Sequence, residues 1–93
     1  MGFKILISPR AEKEIENALE YFTEIHFDLG HHFYNQLELS YKNLISNPYY
    51  IEKHKNIRAF PIKKFPYLLF YVVYEEEKLI RILSCFHTSK SPK

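Results

Sequence analysis

Glycine is almost missing from this chain: Gly2 and Gly30 are the only two among 93 residues. A glycine-rich loop that cradles a phosphate is therefore excluded. Cysteine is scarcer still. The single Cys85 forms no internal disulfide, which excludes a disulfide-stapled secreted scaffold and fits a reducing cytoplasm. Residues 3–7 are too short for a signal-peptide core, and no apolar run approaches the length that spans a bilayer. No repeat, low-complexity tract or linker divides the chain. These absences describe one soluble cytoplasmic domain over residues 1–93, without a membrane association.

What is present is apolar and aromatic. Hydrophobic residues make up 46% and aromatics 17%, which excludes a globally disordered chain. This length supports one modest core. The net charge of +2 is unevenly placed: residues 1–47 carry four basic and seven acidic side chains, net −3, and residues 48–93 carry nine basic and four acidic, net +5. The split reads either as a solvated helical surface followed by a mildly basic sheet, or as an interaction side.

Residues 3–8 read as a strand. Ser8 followed by Pro9 is a helix start, because serine caps free amides and proline tolerates the first helical position. Ala11, Ile15, Ala18, Leu19, Phe22 and Ile25 then recur at helical spacing, with Glu12, Lys13, Glu16 and Glu20 opposite. Asp28-Leu29-Gly30 reads as the break. A second amphipathic helix carries Phe33, Leu37, Tyr41 and Leu44 on one stripe and ends near Asn47-Pro48. So short a break predicts an antiparallel helical hairpin. Residues 48–56 read as a loop, and three strands follow over 57–64, 67–74 and 79–87, whose short turns force an antiparallel meander. Residues 88–93 read as a mobile tail. The order βααβββ predicts an α+β domain with a helical hairpin packed on a mainly antiparallel four-stranded sheet.

The strand over 67–74 is apolar at odd positions (Tyr67, Leu69, Tyr71, Val73) and at even ones (Leu68, Phe70, Val72, Tyr74). Successive side chains face opposite sides, so both faces want cover. A helical hairpin covers one. The other is hidden by curvature, by self-association as a homodimer, or by a second polypeptide. Arg58, Lys63, Lys64, Arg81 and His87 interrupt this apolar sheet. They suit an anionic or carboxylate-bearing target: the arginines hold oxygens bidentately and the histidine exchanges a proton near neutral pH. Structural roles are open beside these. Arg58 pairs an acidic helix residue, Arg81 pairs the 75–77 turn, His87 is a hydrogen-bonded strand end, and Lys63 and Lys64 are solubilising edge charges.

Unbroken alternation puts Arg81, Leu83, Cys85 and His87 on one face, with Arg81 and His87 about 20 Å apart at ~3.3 Å per residue, too far to share a phosphate. Arg58 is then the freer group to join either one. Cys85 reads as inert core. Among His26, His31 and His32 no two stand i,i+4 on a common helix face, and no cysteine accompanies them. No metal site and no cofactor are expected.

The order of elements, the run Ile7-Ser8-Pro9-Arg10-Ala11-Glu12-Lys13-Glu14-Ile15, and the segments Ile57-Arg58-Ala59-Phe60, Phe65-Pro66-Tyr67-Leu68-Leu69-Phe70-Tyr71 and Cys85-Phe86-His87-Thr88-Ser89-Lys90 resemble the RelE/ParE toxin superfamily. These are the toxins of bacterial type II toxin–antitoxin systems, including plasmid stabilization systems. The resemblance spans almost the whole chain. It implies the same βααβββ fold and a small growth inhibitor neutralised by a cognate antitoxin. RelE-like members cleave mRNA in the ribosome with basic residues on the sheet and often a tyrosine or histidine near the C-terminus. ParE-like members inhibit DNA gyrase and are not known as nucleases.

The chain departs from the nuclease pattern. Leu68 stands where RelE-like chains commonly carry an arginine three residues before the tyrosine of the third strand, here Tyr71, and the C-terminal tail has no tyrosine. This favours a ParE-like toxin with gyrase as target. The alternatives are a ribosome-dependent mRNA endonuclease, with Arg58, Arg81 and His87 as candidate catalytic residues, and an inactive member that keeps only antitoxin binding. Whether the chain is an enzyme stays open. The residues expected to meet target or antitoxin are Arg58, Lys63, Lys64, Tyr67, Leu69, Tyr71 and Arg81. The antitoxin is expected to bring an amphipathic helix or strand bearing Glu or Asp.

Overall fold

Ser8 sets the first boundary. Its hydroxyl accepts the Ala11 N–H at 3.2 Å while Pro9 occupies the first helical turn, so the strand before it passes directly into a capped helix. The computed structural model describes residues 2–50 and 52–88, with the backbone alone over 52–54. The elements are β1 (Lys4–Ile7), α1 (Pro9–Ile25), α2 (Phe27–Ser46), β2 (Glu52–His54), β3 (Ile57–Pro61), β4 (Tyr67–Tyr74) and β5 (Leu79–His87).

The periodic stripes become the buried faces. Ala11, Ala18 and Phe22 of α1 are buried, as are Phe33, Leu37 and Leu44 of α2; Ile15, Leu19 and Tyr41 pack at the margin. Ile25, on the same predicted stripe, is exposed at the last turn. The helices part at His26, earlier than the Asp28-Leu29-Gly30 break that composition predicts. His26 takes an extended backbone, donates its N–H to the Phe22 carbonyl, and accepts the Asp28 N–H at Nδ1 (3.0 Å). One residue thus ends α1 and caps α2. Gly30 lies inside α2 for a different reason: a Cβ there would sit 2.1 Å from Thr23 Oγ1 and 3.1 Å from Thr23 Cα. The missing side chain lets the two helices touch.

The sheet runs β1-β5-β4-β3-β2, with β1 parallel to β5 and the other pairs antiparallel. The fold is the expected α+β arrangement of helical hairpin on a mostly antiparallel sheet, with one addition. Part of the 48–56 segment, read as loop, forms the short edge strand β2 against Arg58 and Ile57 in an irregular register. Three residues of such mixed composition leave no alternation to detect. At the far end Thr88 is tied down, its N–H (2.9 Å) and hydroxyl (3.2 Å) both donating to the Pro66 carbonyl. The rest of the expected tail, residues 89–93, lies outside the described residues.

The core sits between hairpin and sheet. Phe22, Phe33, Phe65 and Tyr67 join α1, α2, the β3–β4 turn and β4, with ring centroids 5.0 Å apart for Phe22 and Phe65 and 5.5 Å for Phe33 and Tyr67. Edge-on rings of this kind contribute about 0.5–1.5 kcal/mol each beyond the area they bury. The turns are built without glycine: Lys55, Lys64 and Lys78 hold positive φ values of 52°, 72° and 55°.

Gly30→Ala tests the helix contact. The gain in helix propensity, up to about 1 kcal/mol, is outweighed by overpacking against Thr23, including its backbone. A net loss of about 1–3 kcal/mol is expected in urea denaturation. An unchanged or raised midpoint would show that the helices separate at no cost.

Candidate interaction surface

One extra residue decides which side chains share a face. Along β4 and β5, Phe70 faces Ser84 but Tyr71 faces Ile82, so Leu83 is the inserted residue of a β-bulge. The unbroken alternation expected for β5 therefore fails. Arg81 pairs with Val72, an even position of β4, whereas Cys85 pairs with Leu69 and His87 with Tyr67, both odd. Arg81 and His87 lie on opposite sides of the sheet.

Helix α1 holds the bulge. The Ser8 hydroxyl that caps α1 donates to the Leu83 carbonyl at 3.1 Å. Glu14 Oε1 accepts the Ser84 hydroxyl and the Cys85 N–H, both at 2.8 Å, and Glu14 Oε2 accepts from Arg10 Nε at 3.2 Å. Glu14 was absent from the predicted site, although its place between Ala11 and Ala18 on the apolar stripe was the available signal. Beside it, a cleft of about 320 Å³ opens between α1 and the end of β5, lined by Arg10, Asn17, Tyr67 and His87.

The hairpin side of the sheet takes the odd positions of β4. Leu69 and Tyr71 are 0% exposed and Tyr67 8%. All three were expected to meet a partner; Leu69 and Tyr71 are instead sealed in the core, whereas Tyr67 keeps an edge in the cleft beside Glu14. The even positions form the other face instead. Leu68, Phe70 and Val72 are half-buried there and Tyr74 is exposed. Register adds Ala59 and Pro61 from β3, Phe86 and Leu79 from β5, and Leu6 from β1. No even position of β4 belongs to the core cluster, so neither helix covers this side. Arg81 stands in its midst, level with Val72 and Leu6. Among the described residues its buried Nε has no hydrogen-bond partner, and neither ion pair involves it. A buried donor left unpaired is costly, all the more on a charged group.

Arg58 is engaged elsewhere. It pairs with Tyr71 on the hairpin side, donates from Nη1 to the Tyr50 carbonyl at 2.6 Å and lies over the Tyr49 ring at 5.4 Å. The Tyr71 hydroxyl donates to the Pro48 carbonyl at 2.8 Å, and the Tyr49 hydroxyl donates to the Glu75 carboxylate. Together these fasten residues 48–50 across the end of the core. Arg58 and His87 share a sheet side but stand four positions of β4 apart, about 13 Å at ~3.3 Å per residue. The candidate catalytic trio Arg58, Arg81 and His87 is not brought together. Lys63 and Lys64 sit exposed in the β3–β4 turn, beside clefts against α2.

A strand, a helical hairpin and a meander whose last strand receives the first in parallel define a small α+β domain with one sealed and one open sheet face. The solved structure of the chromosomal ParDE toxin–antitoxin system from P. aeruginosa is similar, with a TM-score of 0.74 at 12% identity over 91% of this chain and 95% of that one. Residues 5–92 match the family model described as ParE toxin of type II toxin–antitoxin system, parDE. The chain belongs to the ParE toxin family. No curated protein matches it. Among the described residues, no helix is long and apolar enough to cross a membrane.

Two measurements check this layout. Arg58→Ala releases the 48–50 strap and is expected to lower stability by about 1.5–3 kcal/mol, the range for hydrogen bonds from a charged group; an unchanged urea midpoint would contradict the strap. Burial first, then the Glu14 carboxylate, push the Cys85 thiol from 9.0 up to about 12. The folded chain therefore holds this proton more tightly than the unfolded one. The stability it contributes is complete below about pH 9 and lost as pH rises towards 12. A thiol reagent at about pH 8 should label Cys85 slowly until urea is added, and rapid native labelling would place the thiol at the surface.

Proposed function

We propose that the chain is a ParE-like toxin that arrests growth by binding a cellular protein, DNA gyrase, and is neutralised by a cognate antitoxin on the open sheet face. The observation that carries this reading is Arg81: a guanidinium with a buried, unpaired Nε amid Leu6, Val72 and their apolar neighbours. A face of this composition suits a segment that brings apolar side chains together with a carboxylate. The apolar contacts supply most of the holding energy, and the charge pair supplies orientation and selectivity.

The separation of Arg58, Arg81 and His87 weighs against the ribosome-dependent nuclease. Cleavage by an RNA's own 2′-hydroxyl needs a proton acceptor, a proton donor and a cation around a single phosphate. Three groups divided between two sides of a sheet do not supply that.

Expression is expected to arrest growth with a DNA-damage response and intact transcripts, and the purified chain to inhibit gyrase supercoiling. Co-expression of the adjacent small gene should relieve the arrest. Arg81→Met should leave folding stability unchanged or raise it, while weakening antitoxin binding about 10- to 100-fold. Codon-phased cuts in transcripts would replace gyrase by the ribosome, and full antitoxin affinity in Arg81→Met would move the docking site off this face.

A further inference from the structure

The helical hairpin carries a second surface, on the other side of the sheet. Between α1 and α2 runs a groove of about 260 Å³, with Ile15, Leu19, Phe33 and Leu37 among its apolar lining. Glu12 and Glu16 from α1 and Glu38 from α2 stand exposed along it, and no lysine or arginine lines it. Residues 9–46 hold three basic and seven acidic side chains, net −4, so the wider field has the same sign.

Two tyrosines add to this. Tyr34 is 47% exposed. Tyr41 also lines the groove, and its hydroxyl oxygen is buried with no hydrogen-bond partner among the described residues. Burial first, then the charges of Cys85, Glu38 and Tyr34, hold the Tyr41 proton well above the ordinary phenol range, so the hydroxyl remains a donor seeking an acceptor.

Length, shape and charge narrow the occupant. From Glu12 to Leu19 the helix advances about 10 Å at ~1.5 Å per residue. That matches two turns of a partner helix with apolar side chains at i, i+3 or i+4, and i+7. Three carboxylates disfavour an acidic helix and pair with lysine or arginine on the flanks of a basic one. We infer that this groove docks a basic amphipathic helix of a protein partner, with apolar side chains between α1 and α2 and cationic ones against Glu12, Glu16 and Glu38. The inference does not depend on the antitoxin assignment, because the open sheet face is a separate surface that carries Arg81.

The probe is a Leu/Lys amphipathic peptide of about 18 residues, titrated into the isotope-labelled full chain and followed by amide chemical shifts. Shifts should gather at Ile15, Leu19, Tyr34 and Tyr41, and a matched Leu/Glu peptide should leave them unmoved. The triple variant Glu12→Lys, Glu16→Lys, Glu38→Lys, at exposed positions, should bind at least about tenfold more weakly. Tyr34→Ala provides a second variant, with a loss of a few-fold, should the triple variant fail to fold. The inference is overturned by shifts centred on β4 and β5, by equal binding of both peptides, by no saturable binding, by unchanged affinity in the variants, or by sedimentation showing the groove closed against a second copy of the chain.

Discussion

Glu14 sits on the buried stripe of α1, between Ala11 and Ala18, and its carboxylate reaches the backbone N–H of Cys85 and the hydroxyl of Ser84. Ser8, six residues earlier, donates its hydroxyl to the Leu83 carbonyl. The inserted residue of β5 is thus held from both sides by the first turns of the helix that follows β1. Charge-assisted hydrogen bonds of this kind are stronger than neutral ones, and they are made where burial is partial and water competes less. Without the bulge, Arg81 and the last residues of β5 would share a face. With it, the guanidinium belongs to the open side, and Cys85 and His87 belong to the side under the hairpin.

Two surfaces of different character result. The open side is an apolar field with Arg81 set in its midst and Lys4 at its β1 edge, and the hairpin is acidic along its groove. The charge split along the sequence therefore becomes a split in space, with helices on one side of the sheet and the open strand face on the other. Arg58, which composition alone would group with Arg81, is occupied in fastening residues 48–50. Its role in the fold is continuous with that of Tyr71, whose phenol body fills the core while its hydroxyl holds the Pro48 carbonyl.

Much of this was legible in the sequence. The Ser8-Pro9 start, the stripes through Phe22 and Phe33, and the doubly apolar strand β4 are periodic signals, and periodicity survives folding because it reflects which side of an element meets the core. What stayed hidden were events without a period. His26 breaks the hairpin by its own backbone conformation, and Gly30, the more conspicuous residue, serves a close helix contact instead. The bulge at Leu83 has neither glycine nor proline to announce it, so counting by twos carried His87 to the wrong side. The same count could not say which half of β4 would be buried; the tyrosines at 67 and 71 went inward, and the surface fell to Leu68, Phe70 and Val72. The strap over 48–50 depends on contacts to Arg58, Tyr71 and Glu75 that no local pattern encodes.

The parallel pairing of β1 with β5 has a consequence for how the molecule comes into being. Lys4 meets Leu79 and Ile7 meets Ile82, so among the described strands the first one made has as its only neighbour the last one made. A chain leaving the ribosome can form its helical hairpin early, but that hairpin has no completed sheet to rest on until the final segment is free. Both the bulge and its Glu14 anchor also wait for that moment. The open sheet face therefore exists only once β5 has been made and has joined β1 and β4.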